Sequence, residues 1–233
     1  MVLQGGHGMT NLCPLCISED THWYYENKQR EFYHCRHCDL VFVPSHFHLP
    51  AREEKKLYDF HQNSIDDPGY CDFLNTLVMP LIQRLAPGMR GLDYGAGPGP
   101  TLSQLLQRQG FAMQIYDPLY CDDAAVLQLQ YDFVTCTEVV EHFSKPALDW
   151  LALSALVKPE GLLALMTLLR NNQVDFASWW YKNDMTHVAF YSPNTIEWLA
   201  AHYGFELIYA DARRVLILQK SVILSEAVRS LVD

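Results

Sequence analysis

The stretch Leu92-Asp93-Tyr94-Gly95-Ala96-Gly97-Pro98-Gly99 decides the fold. Gly91 to Tyr94 reads as a short strand and Leu102 to Gln109 as a helix, with three glycines at alternate positions between them. Glycines placed there let the backbone turn sharply and approach a ligand closely. The loop lacks the Lys-Ser/Thr ending of a nucleoside-triphosphate loop. Asp93, just ahead of it, suits a cationic amino group and would sit poorly beside a pyrophosphate. Asp117 directly follows the next predicted strand, Ala112 to Tyr116, where an acid can receive ribose hydroxyls.

Outward from the loop, strands are predicted at Asp132–Cys136, Gly161–Thr167, Phe205–Tyr209 and Arg214–Gln219. Helices are predicted at Phe73–Leu85, Pro146–Val157 and Asn194–Tyr203. This alternation predicts an α/β fold, a Rossmann-like, doubly wound and mostly parallel sheet covered on both faces. It occupies residues 70–220, with 221–233 as a C-terminal tail. Residues 44–69 form a proline-punctuated linker with a charged helix near Ala51–Phe60, and Met1 to Thr10 reads as a flexible leader.

Residues 11–43 form a separate cysteine-rich module. Cys13-Pro-Leu-Cys16 and Cys35-Arg-His-Cys38 flank a stretch rich in strand formers. Two such pairs predict a tetrahedral Zn²⁺ site of the zinc-ribbon kind. Four thiolates close the coordination shell, so the metal is expected to be structural, with the module serving as a stabilising lid or a partner contact. A redox Cys-x-x-Cys is the rival reading. The remaining cysteines, Cys71, Cys121 and Cys136, are scattered, which fits a reducing cytoplasm better than a secreted disulfide framework.

Hydrophobic residues make up 49% of the 233-residue chain and charged ones 19%, which excludes dominant disorder. With 17 basic and 27 acidic residues the net charge is −10, arguing against a large nucleic-acid-binding face. No apolar run is long enough for a membrane span, and no secretory signal opens the chain.

Thr137-Glu138-Val139-Val140-Glu141-His142 follows a central strand. If it opens a helix, Glu138, Glu141 and His142 share one face at the strand's carboxyl end, where α/β proteins place ligands. His187 follows an aromatic run, Phe176 to Tyr181, that suits either a pocket roof or plain core. Either histidine could act as a general base, or could simply cap or pack. Tyr70 is a candidate gate or linker anchor.

From Tyr70 to Gln219 the chain resembles the class I S-adenosylmethionine-dependent methyltransferases. The likeness rests on Asp93-x-Gly95-x-Gly97-x-Gly99, Ile115-Tyr116-Asp117, Tyr131-Asp132-Phe133-Val134 leading to Glu138-Val-Val-Glu141-His142, and Leu156-Val-Lys-Pro-Glu-Gly161. The resemblance implies a seven-stranded sheet with its last strand antiparallel and S-adenosylmethionine as cofactor. It implies that Asp93 and the glycines hold the methionine part and that Asp117 holds the ribose. The segment between Asp117 and Asp132 is shorter than relatives use for a helix, a strand and an adenine-contacting loop. The third strand is therefore expected to be rudimentary, around Ala124–Leu127.

The acidic–histidine segment is similar to that of ubiquinone-biosynthesis O-methyltransferases and small-RNA 2′-O-methyltransferases. There, such a run and a later histidine gather a divalent ion that binds the substrate's hydroxyls. This implies Glu138, Glu141, His142 and His187 as catalytic residues, with a second divalent ion (Mg²⁺ or similar) or acid–base chemistry alone. A small polar molecule methylated at oxygen is the expected substrate. The alternatives are an RNA methyltransferase gripping RNA through the zinc module, or a non-catalytic module that retains only the fold.

Overall fold

The computed structural model describes residues 11–60, 63–171, 173 and 175–222. The predicted leader, Met1 to Thr10, and the tail beyond residue 222 lie outside them. The N-terminal module is a hairpin of β1 (Thr21–Glu26) and β2 (Glu31–Cys35), extended antiparallel by β3 (Val41–Phe42). A charged helix, α1 (Ala51–Tyr58), follows and buries none of its residues.

Next come α2 (Pro68–Ile82), β4 (Arg90–Tyr94), α3 (Thr101–Arg108), β5 (Ala112–Tyr116), β6 (Tyr131–Thr137), α4 (Pro146–Ala155) and β7 (Val157–Met166). The chain continues through β8 (Ala189–Phe190), α5 (Pro193–Tyr203), β9 (Phe205–Ala210) and β10 (Val215–Lys220). Among the described residues, no helix is long and apolar enough to cross a membrane.

The large sheet has the order β5-β4-β6-β7-β10-β9. The first four strands are parallel, and β10 runs antiparallel to both β7 and β9. Alternation along β7 shows why it is covered on both sides. Leu162, Ala164 and Met166 pack with Leu74, Leu77 and Leu106 of α2 and α3. Leu163 and Leu165 pack with Trp150, Leu153, Ile196 and Leu199 of α4 and α5. Successive strand side chains point to opposite faces, so an unbroken apolar run serves both layers.

The doubly wound fold is as predicted, but the sheet has six strands and not the implied seven. Between Asp117 and Tyr131 the chain makes a bridge from Asp117 to Cys121 and a 3-10 turn, Val126–Gln128. The segment is too short for a crossover helix and a strand, because a parallel crossover alone needs about a dozen or more residues. β5 is therefore the edge.

α2 starts at Pro68, ahead of its predicted start at Phe73. Asp67 caps it by accepting the Gly69 and Tyr70 amides, and Pro68 fills the first helical position. Pro68-Gly69 reads as a breaker in isolation and works here as a helix start.

The cysteine module does not sit apart from the sheet domain. β8, from the loop after β7, pairs antiparallel with β3 and completes a four-stranded sheet, β1-β2-β3-β8. Asp39 adds a polar tie. It accepts from His34 Nε2 (2.6 Å), from Arg170 Nη2 (2.9 Å) and from the Ser192 hydroxyl.

Candidate active site

The glycine loop leaves β4 at the carboxyl edge of the sheet. Gly95 and Gly97 have φ of 79° and 65°, a region that L side chains enter only at a cost. A Cβ on Gly95 would stand 2.4 Å from Val139 Cγ2, so this glycine also allows close packing of two loops. Gly99 is pressed against the Asn63 carbonyl, which a Cβ would meet at 2.1 Å.

Asp117 holds the loop. Its carboxylate accepts the amides of Gly97 (2.9 Å), Leu119 (2.8 Å) and Tyr120 (3.2 Å). A carboxylate has about four acceptor positions, so one remains for a ligand hydroxyl. Asp93 is buried and accepts from the hydroxyls of Thr135 (2.9 Å) and Ser103 (3.2 Å). Burial pushes its carboxyl up to about 6 against the hydrogen bonds from Thr135 and from the Ser103 hydroxyl and amide.

The acidic–histidine segment does not open the α-helix predicted for it. Glu138 has a left-handed backbone, φ 52°, with its amide on the Met166 carbonyl at 2.7 Å. Val140–His142 is a single 3-10 turn. Pro146 at the first position of α4 disfavours helical geometry at Lys145. The β-branched pair Val139-Val140 adds little helix propensity.

The four predicted residues nevertheless reach one region. Val188 N donates to the Glu141 carbonyl at 2.8 Å, and pairing of β8 with β3 holds this strand in place, which brings His187 beside His142. Their ring centroids are 4.8 Å apart. Ligand atoms from Glu141, His142 and His187 all lie within 4.8 Å of one another. Glu138 stands outside this trio, 3.5 Å from Arg214 Nη1 and 3.5 Å from the Tyr181 hydroxyl.

His187 Nδ1 lies 2.9 Å from the Tyr181 carbonyl, and His142 Nδ1 lies 3.0 Å from the Thr186 carbonyl. A carbonyl only accepts, so each ring donates from Nδ1, and in the neutral form Nε2 is unprotonated. Histidines that bind metals are oriented in this way. The Tyr181 hydroxyl donates to Glu141 Oε1, while Glu141 Oε2 is buried with no hydrogen-bond partner among the described residues.

Burial, together with the Glu141 charge, pushes Glu138 up to about 8 in spite of Arg214. Burial likewise raises Glu141 to about 7, against its bond from Tyr181. Burial and then His142 drive His187 down to about 4, with Asp184 opposing. At neutral pH the Glu138 carboxyl is mostly protonated and His187 is neutral.

A cleft of about 640 Å³ joins these groups to the loop; it is lined by Gly95, Gly97, Gly99, Asp93 and Asp117 and also by Glu138, His142 and His187. Glu141 lies beneath it, fully buried. The aromatic run divides: Phe176 and Trp179 pack with Phe32 and Phe190 as core, whereas Trp180 and Tyr181 line the cleft. Tyr70 lines it too.

Sequence reasoning named neither Arg214 nor Tyr181 as a site residue, and it missed Tyr58 and Asp184, which also line the cleft. Tyr181 had a signal, its place in the aromatic run; Arg214, on the far side of the sheet domain in sequence, had none.

The four module cysteines also converge. Cys13 and Cys38 sulfurs are 3.6 Å apart and those of Cys16 and Cys35 are 3.4 Å apart, too long for disulfides. A tetrahedron with Zn–S of about 2.3 Å has edges of about 3.8 Å, so the donor set fits zinc. Each knuckle closes through a left-handed residue, Ile17 (φ 60°) and Asp39 (φ 60°).

Residues 68–210 match the family described as "Methyltransferase domain". The fold, the glycine loop after the first strand of the large sheet and this match define a class I methyltransferase domain. The chain belongs to the methyltransferase-domain family.

Among curated proteins it is similar to the ubiquinone biosynthesis O-methyltransferase of Aeromonas salmonicida, 33% identical over 35% of this chain and 34% of that protein. The Colwellia psychrerythraea protein of the same name is 27% identical over 55% of this chain and 51% of its own length. The matches thus span about a third to a half of these relatives. Among solved structures, a SAM-dependent methyltransferase from Archaeoglobus fulgidus has a TM-score of 0.50 at 15% identity, covering 64% of this chain and 94% of that one. A methyltransferase of calicheamicin biosynthesis has a TM-score of 0.50 at 11% identity, covering 73% and 59%. At these identities the two structures speak for the fold alone.

Proposed function

We propose that this chain transfers a methyl group from S-adenosylmethionine to a hydroxyl oxygen of a small polar acceptor. The observation that carries this reading is the single cleft shared by the glycine loop with Asp117 and by Glu138, His142 and His187. The O-methyltransferase relatives support oxygen as the acceptor atom.

S-adenosylmethionine, when bound, supplies an activated methyl group on a sulfonium. Asp93 and the loop glycines would hold its methionine part and Asp117 its ribose. Tyr70, Phe73, Trp180 and Tyr181 line the cleft with aromatic surface against which the acceptor can pack. His187, held neutral by burial, and His142, both donating from Nδ1, are the candidate proton acceptors for the hydroxyl at Nε2. Glu138, mostly protonated at neutral pH, lines the same cleft as a hydrogen-bond donor and takes up no further proton.

Glu141, His142 and His187 also suit a divalent ion, which would lower the pKa of the acceptor's hydroxyl. The partnerless Glu141 Oε2 supports this part of the reading. The four module cysteines would hold a structural zinc.

Labelled S-adenosylmethionine offered with a panel of phenols, catechols and hydroxy acids tests the activity, and S-adenosylhomocysteine calorimetry tests the cofactor. Chelator-sensitive turnover with the cysteine-bound zinc retained supports the ion. Turnover indifferent to chelation leaves acid–base chemistry, in which case His142→Ala and His187→Ala each lower kcat by about 100-fold or more.

A further inference from the structure

The turn between β1 and β2 carries a side chain that leaves the cysteine module altogether. Asn27 makes the turn, its side-chain oxygen accepting the amides of Gln29 (2.9 Å) and Arg30 (3.0 Å). Arg30 is 1% exposed. Its guanidinium crosses the Phe32 ring at 5.2 Å and enters the segment just before β8.

There it donates to four backbone carbonyls. Nη1 reaches those of His187 (2.9 Å) and Met185 (3.2 Å), and Nη2 reaches those of Lys182 and Asp184. Only Nε is without a partner among the described residues.

Four carbonyl dipoles aimed at one point repel one another unless a cation with several donors sits among them. No regular structure could supply those donors, because the segment runs from a 3-10 turn, Trp180–Asn183, straight into β8. A guanidinium has five N–H donors in a fixed fork and is weakly hydrated, so it can be buried in such a nest where an ammonium cannot serve every acceptor. Burial lowers the Arg30 pKa to about 10, with Asp184 opposing, and the group stays charged at neutral pH.

The clamped segment has a consequence for the cleft. It carries the Tyr181 and Thr186 carbonyls that orient the two imidazoles, and it carries His187 itself. We infer that Arg30 is a positioning residue: from the cysteine module it gathers the carbonyls of Lys182, Asp184, Met185 and His187 and so sets the two histidine rings at the reacting site. This rests on the proposal that His142 and His187 belong to that site. It gives the module a role beyond that of a lid, since its hairpin determines the geometry of a loop at the other end of the sequence.

The test compares Arg30→Met and Arg30→Lys with the unaltered chain by hydrogen–deuterium exchange, zinc content, S-adenosylhomocysteine affinity and turnover. Arg30→Met should speed exchange of amides in 182–188 at least tenfold, with exchange at Cys13–Cys38 and at the glycine loop unchanged. Zinc content and S-adenosylhomocysteine affinity should stay within twofold, while kcat falls at least tenfold. Arg30→Lys, which keeps the charge and loses the fork, should fall between. If Arg30→Met does not fold, the lysine variant is judged by the same measures.

Unchanged exchange across 182–188 in a folded variant overturns the proposal. Faster exchange with undiminished kcat overturns it too, by removing the histidines from the reacting site. Failure of the unaltered chain to methylate any acceptor is a failure of the functional reading instead, and exchange alone then decides whether Arg30 anchors the loop.

Discussion

Asp117 accepts the amide of Gly97 at 2.9 Å, so the carboxylate proposed to hold the ribose also holds the loop that faces it. One substitution therefore removes two contributions. Asp117→Asn keeps one acceptor oxygen but puts an NH₂ where another was, opposite a backbone N–H. A hydrogen bond to a charged group contributes roughly 1.5–3 kcal/mol. S-adenosylhomocysteine affinity by calorimetry should fall on the order of 10- to 100-fold, and more in Asp117→Ala. Unchanged affinity in both would refute the assignment.

With Asp93 as the proposed partner of the cofactor's ammonium, cofactor binding should depend on pH. Burial holds its carboxyl at about 6, so it protonates in mild acid. A ligand ammonium favours the ionised form. Affinity for S-adenosylhomocysteine should thus be level above about pH 7 and fall as pH drops through 6, approaching tenfold per unit below it. Asp93→Asn should be weak at every pH, with the slope gone.

The cysteine module should hold one zinc per chain after purification without added metal, by elemental analysis. Cys35→Ser should lose it. Because a structural zinc contributes binding free energy directly to folding, the variant should also unfold at a lower temperature than the unaltered chain. Full zinc occupancy in the variant would be the contrary result.

Asp39 ties the module to the sheet domain, and its ionisation contributes to stability. Burial alone would raise its carboxyl, but His34, Ser192 and Arg170 prevail and hold it at about 2. A depressed carboxylate pKa stabilises the fold above the unfolded value near 4, and that stability is lost as pH falls through about 2. The contribution is about 2 kcal/mol. Asp39→Ala should therefore lower the urea midpoint clearly at pH 7, and the gap to the unaltered chain should narrow at pH 2.5.

Short-range chemistry was readable from the chain alone. The glycine loop, the two Cys-x-x-Cys pairs and the strand–helix alternation each depend on residues a few positions apart, where spacing and backbone freedom dictate geometry. The β7 run shows the same, since period two alone assigns Leu163 and Leu165 to one layer and Leu162 and Ala164 to the other.

Tertiary structure decided what depends on distant partners. The sheet has six strands because the segment after Asp117 is taken up by a bridge and a 3-10 turn. Glu138 turned left-handed at the strand end, which set it beside Arg214 and left Glu141 with the histidines. β8 joined the cysteine module's sheet, and Arg30 filled a nest of carbonyls that no local pattern announces. Periodicity records which face of an element is buried. It carries no record of which buried donor meets which acceptor from opposite ends of the chain, because that match exists only after the layers have packed.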